Sequence, residues 1–491
     1  MKKAFSVVIV LLFLAAAVFA GTTFWFGMQT QQQYLDILEQ TPQLGYIHLA
    51  NESYDRGLLK SKARTAVKIR DLGGGLGTGA GKEPEDVVGF TMIHDIRHGP
   101  LPLGESPDGE RQLKPVLAII ETRIELSPET QAKLKKTFGE LPEIASMQNY
   151  TTLSLGGDGE TLLNIPAFHQ TVEKDKKVAV EWKGLTANMA FTADLKKFTG
   201  SLNAPGLRAL GDDGELEING LACTFDSYEG IKGLFLGDAS FNLARLEFTG
   251  KTAGAKKQIS MNGLKMTTSS QALSDTVNYS VTAGIDRVMT KDTLYGPGIC
   301  ELEFRKIDAA SLAKLQQIFQ ELQAQFPQRS AEEINQMMVA KYAEILPGLI
   351  KESPEIEVAK LSLKTSDGDF LGKAKIVIDG TNAAAMINPL FLLSAVTAHA
   401  EFTITDLLLQ RIHASSRRKE ITAAIEQGTR DPLNDEEIKA LAASEGKKRL
   451  EALVAQNILI YEDGHYKASA DYQEGRIILN GRPLALQDLL K

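Results

Sequence analysis

Cysteine is scarce: Cys223 and Cys300 are the only two in 491 residues. They stand 77 positions apart with no Cys-x-x-Cys, which speaks against a thiolate zinc site or dithiol redox motif and leaves room for one disulfide at most. Catalytic signatures are missing too. No Gly-x-Ser-x-Gly, His-Glu-x-x-His, EF-hand loop or kinase motif occurs, so no reaction class is named by motif and the catalytic residues stay unknown. Positive charge is short: the formal net charge of −8 argues against a nucleic-acid partner, since a phosphate backbone needs clustered cations. Arg417-Arg418-Lys419 and Lys447-Lys448-Arg449 lie in helix-like stretches and read as solvated faces. Beyond the N-terminus no apolar run approaches the length of a membrane span, and Leu390–Val396 reads as a buried helix.

What the chain does have begins at residue 4. After Lys2 and Lys3, the 25 residues Ala4–Met28 carry no charge, enough for a helix to cross the hydrocarbon core. Val18-Phe19-Ala20 has the look of a signal cleavage site. Phe24, Trp25 and Phe26 follow it as an aromatic belt would, which favours an uncleaved anchor with the lysines cytoplasmic and the body outside. Residues 29–45 are then expected as a helical stalk.

Further on, the period shortens to two. Ala63, Thr65, Val67 and Ile69 alternate with Lys62, Arg64, Lys68 and Arg70, the pattern of a half-buried strand. The loop that follows contains Gly75, Gly77 and Ala80, which fit a dinucleotide fingerprint, but no helix opens after them. A phosphate loop fails as well, because Leu76 and Glu83 stand where Gly and Ser or Thr are required. A hairpin joining strands 58–70 and 86–97 is the expectation. A strand over 115–126 follows, and Ser127-Pro128 starts a helix that should stop at Gly139.

From 175 to 305 nearly everything reads as β. VAVEWKGLTA, GELEINGLAC and KQISMNGLKM form a loose repeat around Gly184, Gly220 and Gly263, which suggests similar strand units placed side by side. The last third is mixed. A helix is expected over 308–326, another from the capping box at Ser330 with a kink or stop at Pro347, and a hairpin of strands 355–364 and 370–379. Helices follow at 386–395, 404–427 and 434–456, then strands 465–472 and 476–480, terminated at Asn480-Gly481.

His94 and His98 are the one pair that suggests chemistry. On a helix they could share a metal, but Val87, Val88, Phe90, Ile93 and Ile96 favour a strand, and Gly99-Pro100 ends it. On a strand the two rings share a face about 13 Å apart, too far for one metal. No metal ligand set and no cofactor are therefore expected, and paired carboxylates such as Asp212-Asp213 read as a turn.

The chain does resemble a known family. Tyr54-Asp55-Arg56-Gly57-Leu58 before an alternating strand, His98-Gly99-Pro100 with Leu101-Pro102-Leu103, and a closing Tyr472-Gln473-Glu474-Gly475 through Asn480-Gly481-Arg482-Pro483-Leu484 resemble the YdgA-like family of bacterial envelope proteins, long catalogued as a domain of unknown function. The resemblance implies a bitopic inner-membrane protein with a periplasmic body, and it supplies no catalytic residue. Its motif residues, Tyr54, Arg56, Gly57, His98, Gly99, Pro100, Gly475, Asn480, Gly481 and Pro483, are expected to be structural.

The sequence thus predicts an α+β fold, predominantly β. A transmembrane anchor (1–28) and stalk (29–45) lead into an extended antiparallel, repetitive sheet (46–305) and a mixed C-terminal region (306–491). The function expected is that of a non-enzymatic envelope factor binding an apolar ligand such as lipid. A scaffold acting through protein partners or as a homodimer is the alternative, and a hydrolase using His98 or His465 is a third.

Overall fold

The computed structural model describes the chain outside residues 1, 41–46, 71–85, 103–114, 139–146, 174–176, 253–254, 291–292, 326–330, 383, 386–390 and 485–491, and outside the side chains of residues 2–18, 39–40, 47, 69–70, 86–88, 134, 136–138, 172–173, 251–252, 255–257, 320, 322–325, 331–332, 334–335, 339–340, 343 and 484. The glycine-rich loop, Gly139 and the Ser330 cap fall outside the described residues. The fold is predominantly β, as expected. It divides into two compact units, Met1–Ala239 with Lys314–Tyr342, and Ser240–Ala313 with Ala343–Lys491.

In the first unit, helix α1 (Lys2–Gln40) precedes β1 (Ile47–Arg56), β2 (Lys60–Arg70), β3 (Asp86–His98) and β4 (Ala118–Leu126). Helix α2 (Pro128–Phe138) and strands β5 (Gln148–Leu153), β6 (Gly159–Ile165), β7 (Phe168–Glu173), β8 (Lys177–Trp182), β9 (Leu185–Phe191), β10 (Lys197–Gly211) and β11 (Gly214–Glu229) follow. The strands form an antiparallel meander in which each is paired with its sequence neighbour from β1 to β6, after which β6 pairs β9 and β9 pairs β10. Ser127 caps α2 as anticipated, its hydroxyl accepting from the Thr130 amide at 3.1 Å.

The repeat glycines mark bends. Gly184 and Gly220 lie at positive φ, where an L side chain is strained. Both flank Gly206 of β10, which accepts from the Lys183 amide on one side and pairs Asn219 on the other. Beyond this line the apolar residues change sides of the pleat: Leu202 and Ala204 lie on one face, Leu207 and Ala209 on the other.

Strand β12 (Phe235–Thr252) carries the chain into the second unit. There β13 (Ala255–Leu273), β14 (Thr276–Ile285), β15 (Arg287–Thr290) and β16 (Thr293–Asp308) follow; helices α3 (Ala309–Gln325) and α4 (Ala331–Ile350) include the first unit's Lys314–Tyr342, and β17 (Glu355–Thr365) and β18 (Gly368–Ile378) belong to the second. Then come a short helix α5 (Leu392–Ala395), β19 (Val396–Thr405), α6 (Asp406–Glu426), α7 (Asp435–Ala455), β20 (Ile460–Glu462), β21 (His465–Gln473), β22 (Arg476–Leu479) and β23 (Arg482–Leu484). Gly263, at positive φ, repeats the bend between the parts of β13 that pair β14 and β15.

Several expectations are corrected here. Strand β19 was not foreseen, although Ala398, Ala400, Phe402 and Ile404 alternate with polar residues in strand fashion. Pro347 does not end α4, which continues to Ile350, because a proline so near the C-terminus removes only one late helical hydrogen bond. Asn480-Gly481 does not end the sheet: with φ of 48° and 78° it makes a two-residue hairpin turn into β23. Pro483 sits in β23 opposite Ile478. The Asn434–Glu437 capping box of α7 forms as read.

Candidate functional site

The N-terminal motif residues collect beneath α1. From Thr23 onward the helix lies on β1, β3 and β4 and presents Thr23, Gly27, Thr30 and Tyr34 to them, a spacing of four, three and four that keeps one face toward the sheet. Thr23 and Thr30 are fully buried, and their hydroxyls donate back to the Phe19 and Phe26 carbonyls at 2.8 Å, so each turns a methyl outward without leaving a polar group unpaired. Gly27 lets the helix approach closely, since a Cβ there would stand 3.3 Å from the His98 ring. The expected stalk is helical as far as Gln40 and, rather than standing free, its start packs on the sheet. Of the expected aromatic belt, Phe24 and Trp25 are exposed, whereas Phe26 packs into the core of Ala63, Ile96, Leu117, Ala118 and Leu153.

Below the helix runs a polar chain. The Tyr34 hydroxyl meets Thr65 Oγ1 at 2.6 Å, Thr65 meets His94 Nε2 at 3.0 Å, and His94 Nδ1 meets Thr122 Oγ1 at 2.8 Å. Burial lowers the His94 pKa from the ordinary 6.5 to about 4, so the ring is neutral and its two nitrogens are one donor and one acceptor. His98, on the same face, bonds Ser61 Oγ through Nε2 at 2.7 Å, and its pKa is lowered by burial and by the Arg56 charge. Its side chain therefore ties β3 to β2 and not to the turn after it.

A serine on a histidine is the first half of an acyl-transfer dyad. Here both partners are 2% exposed, Gly27 lies on the imidazole, and Nδ1, which a triad carboxylate would fix, has no partner among the described residues. As folded, the pair is closed to substrate. His465 is surface-lying with Nδ1 on the Asp463 carbonyl, and no metal-ligating group of three exists among the described residues.

The other motif residues shape turns and ties. A Cβ on Gly57 would meet the Lys60 carbonyl at 2.4 Å, and one on Gly99 would meet the Val116 carbonyl at 1.7 Å, so both turns need glycine for close approach. Pro100 accepts from the Val116 amide. Tyr54 packs against the Tyr34 ring, and Arg56 lies over Phe24. In the second unit, Gly475 makes the β21–β22 turn at positive φ. The Asn480 side chain donates to the Asn457 and Ile458 carbonyls and accepts from the Ser469 amide, joining the terminal hairpin to the end of α7.

Sequence reading missed a feature in the second unit. In register across seven strands, β14, β16, β17, β18, β19, β21 and β22, stand Val281, Leu302, Val358, Ala374, Ala400, Ala470 and Leu479. Adjacent rows on the same face supply Cys300, Leu361, Gly372 and Ala468 on one side and Phe304, Ile356, Ile376 and Ala398 on the other. Both ends of this face are closed. Leu408, Leu450 and Leu459 cover Ile404 and Tyr466, and Ile350, Leu346 and Leu392 cover Ile378. Between them Ile356, Leu361 and Ile376 remain 37–39% exposed. The opposite face is a charged ladder: Arg305 bonds Glu303 and Glu357, Lys375 reaches Glu355 at 2.8 Å, and His399 reaches Asp471 at 2.7 Å. Alternating Ala and Glu, His or Lys in β18 and β19 was the available signal. Cys223 and Cys300 are both free thiols.

The family described as "Bacterial protein of unknown function (DUF945)" matches residues 1–487. The chain is 22% identical to Protein YdgA of Escherichia coli (strain K12), over 96% of its own length and 93% of that protein. It is 24% identical to an uncharacterized protein of Haemophilus influenzae, over 61% of the chain and 81% of that protein. No solved structure matches. Among the described residues, no helix is long and apolar enough to cross a membrane.

Proposed function

Since the chain belongs to the DUF945 family, for which no activity is known, we propose a function from its surfaces: a non-enzymatic, membrane-anchored periplasmic protein that holds an apolar chain, such as a lipid acyl tail, on the open face of the second unit. The observation that carries this reading is the row Val281–Leu479. Six strand-to-strand steps of about 4.8 Å make it roughly 29 Å long, and one leaflet of hydrocarbon is about 15 Å deep, so an extended tail fits within it. No side chain in the row can donate a hydrogen bond, and Ala374, Ala400 and Ala470 make its middle shallow. A ligand matched to such a surface has a long apolar body and no polar demands along it.

The anchor reading rests on the uncharged run in the first part of α1. Sheet contact begins at Thr23, which leaves the 19 residues Ala4–Thr22, about 28 Å as a helix, to span a hydrocarbon core of about 30 Å.

The test is lipid extraction from the full-length chain purified in mild detergent, beside an Ala374→Trp, Ala400→Trp variant whose indoles fill the trough. Wild type should carry stoichiometric lipid and the variant little. Equal lipid on both, or none on wild type, would sink the idea. A photocrosslinker at Leu361 that traps one defined protein in cells, and no lipid, would favour the scaffold reading instead.

A further inference from the structure

The first unit's sheet has one end unlike the other. The turns between β1 and β2, after β3, and between β5 and β6 all lie at that end, as the hydrogen bonds His98 N to Leu59 O (3.0 Å) and Leu117 N to Leu153 O (2.9 Å) require. At their tips stand Leu58, Leu59, Leu101 and Leu155, where turns ordinarily carry polar residues. Helix α1 fixes the direction. Phe24 and Gly27 lie by Arg56 and His98 at this end, while Tyr34 lies by Thr65, farther along β2. The helix therefore enters the sheet from the turn end, and the uncharged residues before Thr23 precede that entry. Phe24 stands at the β1–β2 turn under the Arg56 guanidinium, whereas the β5–β6 turn is tied farther along the helix, where Gln33 donates to the Gly157 carbonyl at 2.6 Å; Leu58, Leu59, Leu101, Phe24 and Trp25 are between 45% and 50% exposed.

We propose that the β1–β2 turn and the turn after β3, with Phe24 and Trp25, form a foot that rests in the headgroup region of the bilayer. The proposal rests on the anchor reading. An apolar cluster of this kind on a protein surface marks a contact site. Its occupant here follows from continuity: the helix that issues from the middle of the cluster carries no charge for the whole length of a span. Aromatic rings are favoured where such a span leaves the hydrocarbon. Arg56, its guanidinium 5.0 Å from the centre of the Phe24 ring, stands where it meets lipid phosphates. The motif turns at Gly57 and Gly99-Pro100 then hold leucines at a fixed height, because neither turn tolerates a Cβ at its glycine.

The experiment uses the full chain with Cys223→Ala and Cys300→Ala and one added cysteine, at Leu58→Cys, Leu101→Cys, Leu155→Cys or, at the far end of the same sheet, Leu210→Cys. Each is labelled with an environment-sensitive dye and reconstituted into phosphatidylethanolamine–phosphatidylglycerol vesicles with and without lipids carrying a quencher just below the headgroup. Quenching at positions 58 and 101 should exceed that at 155 and 210 several-fold. If the protein floats with the vesicles and all four positions quench alike, the foot is wrong and the anchor stands. If it does not float, the anchor reading fails and the foot falls with it.

Discussion

Two helix-on-strand interfaces, one in each unit, are built from contrasting materials. In the second unit α6 and α7 lay Leu408, Leu450, Leu453 and Val454 on Phe370, Ile404 and Tyr466. In the first, α1 lays threonines and a glycine over Ser61, Thr65, His94 and His98. An apolar contact is stabilised by area and tolerates small shifts, whereas a hydrogen-bonded one fails wherever a single partner is lost. The contrast fits what each helix covers. Helices α6 and α7 close a core, and α1 sets the register between the sheet and the segment that leads out of it.

The comparison can be broken first at its apolar side. Leu450 is fully buried, and Leu450→Ala should cost about 2–5 kcal/mol, read as a lower denaturant midpoint of the second unit; a loss under 1 kcal/mol would mean the interface is loose. The polar side should respond to acid instead. The unfolded His94 binds a proton below 6.5 and the folded one only near 4. Stability from this residue is therefore complete above 6.5 and is lost as pH falls toward 4, by roughly 3 kcal/mol. Amide exchange across residues 23–38 at pH 5 and pH 7.5 should show α1 loosening at the lower value, with His98 acting in the same direction.

Thr65→Val removes the link between Tyr34 and His94 while keeping shape. It should cost about 1–3 kcal/mol, with the acid sensitivity of α1 altered, because His94 then lacks a partner at Nε2. The smallest effect belongs to the charged ladder. His399 is exposed, and the carboxylates of Asp471 and Glu401 raise its pKa, so its contribution is present below the ordinary histidine range and fades as pH rises. His399→Ala should change stability by no more than about 1 kcal/mol, with a pH trend opposite in sign to that of His94.

Much of this was legible from residue order. The strands around 60–70 and 86–98, the caps at Ser127 and Asn434, and the hairpin about Ser366–Asp369 follow from alternation and turn chemistry, which act over a few residues. The Asn-Gly pair at 480 was visible too, but a turn and a terminus look alike until the next strand is known. The docking of α1 was hidden for a different reason. An uncharged run satisfies a bilayer and a protein surface equally, and only the spacing of Thr23, Gly27, Thr30 and Tyr34 hints at the second. The apolar row was out of reach because its seven members come from strands up to 198 residues apart, brought together by pairing that no local pattern encodes. That His94 and His98 share a strand face was readable, whereas their partners, Thr65, Thr122 and Ser61, come from neighbouring strands.

The tie made by Asn480 also gives the molecule a chemical age. An asparagine followed by glycine is the residue pair most open to spontaneous amide hydrolysis, and here the amide nitrogen donates to two backbone carbonyls, of Asn457 and Ile458, at 2.8 and 3.1 Å. A carboxylate in its place would face both oxygens with nothing to donate. Deamidation to aspartate would thus turn the latch between the last hairpin and α7 into a repulsion, and copies so altered would differ from unaltered ones at that point.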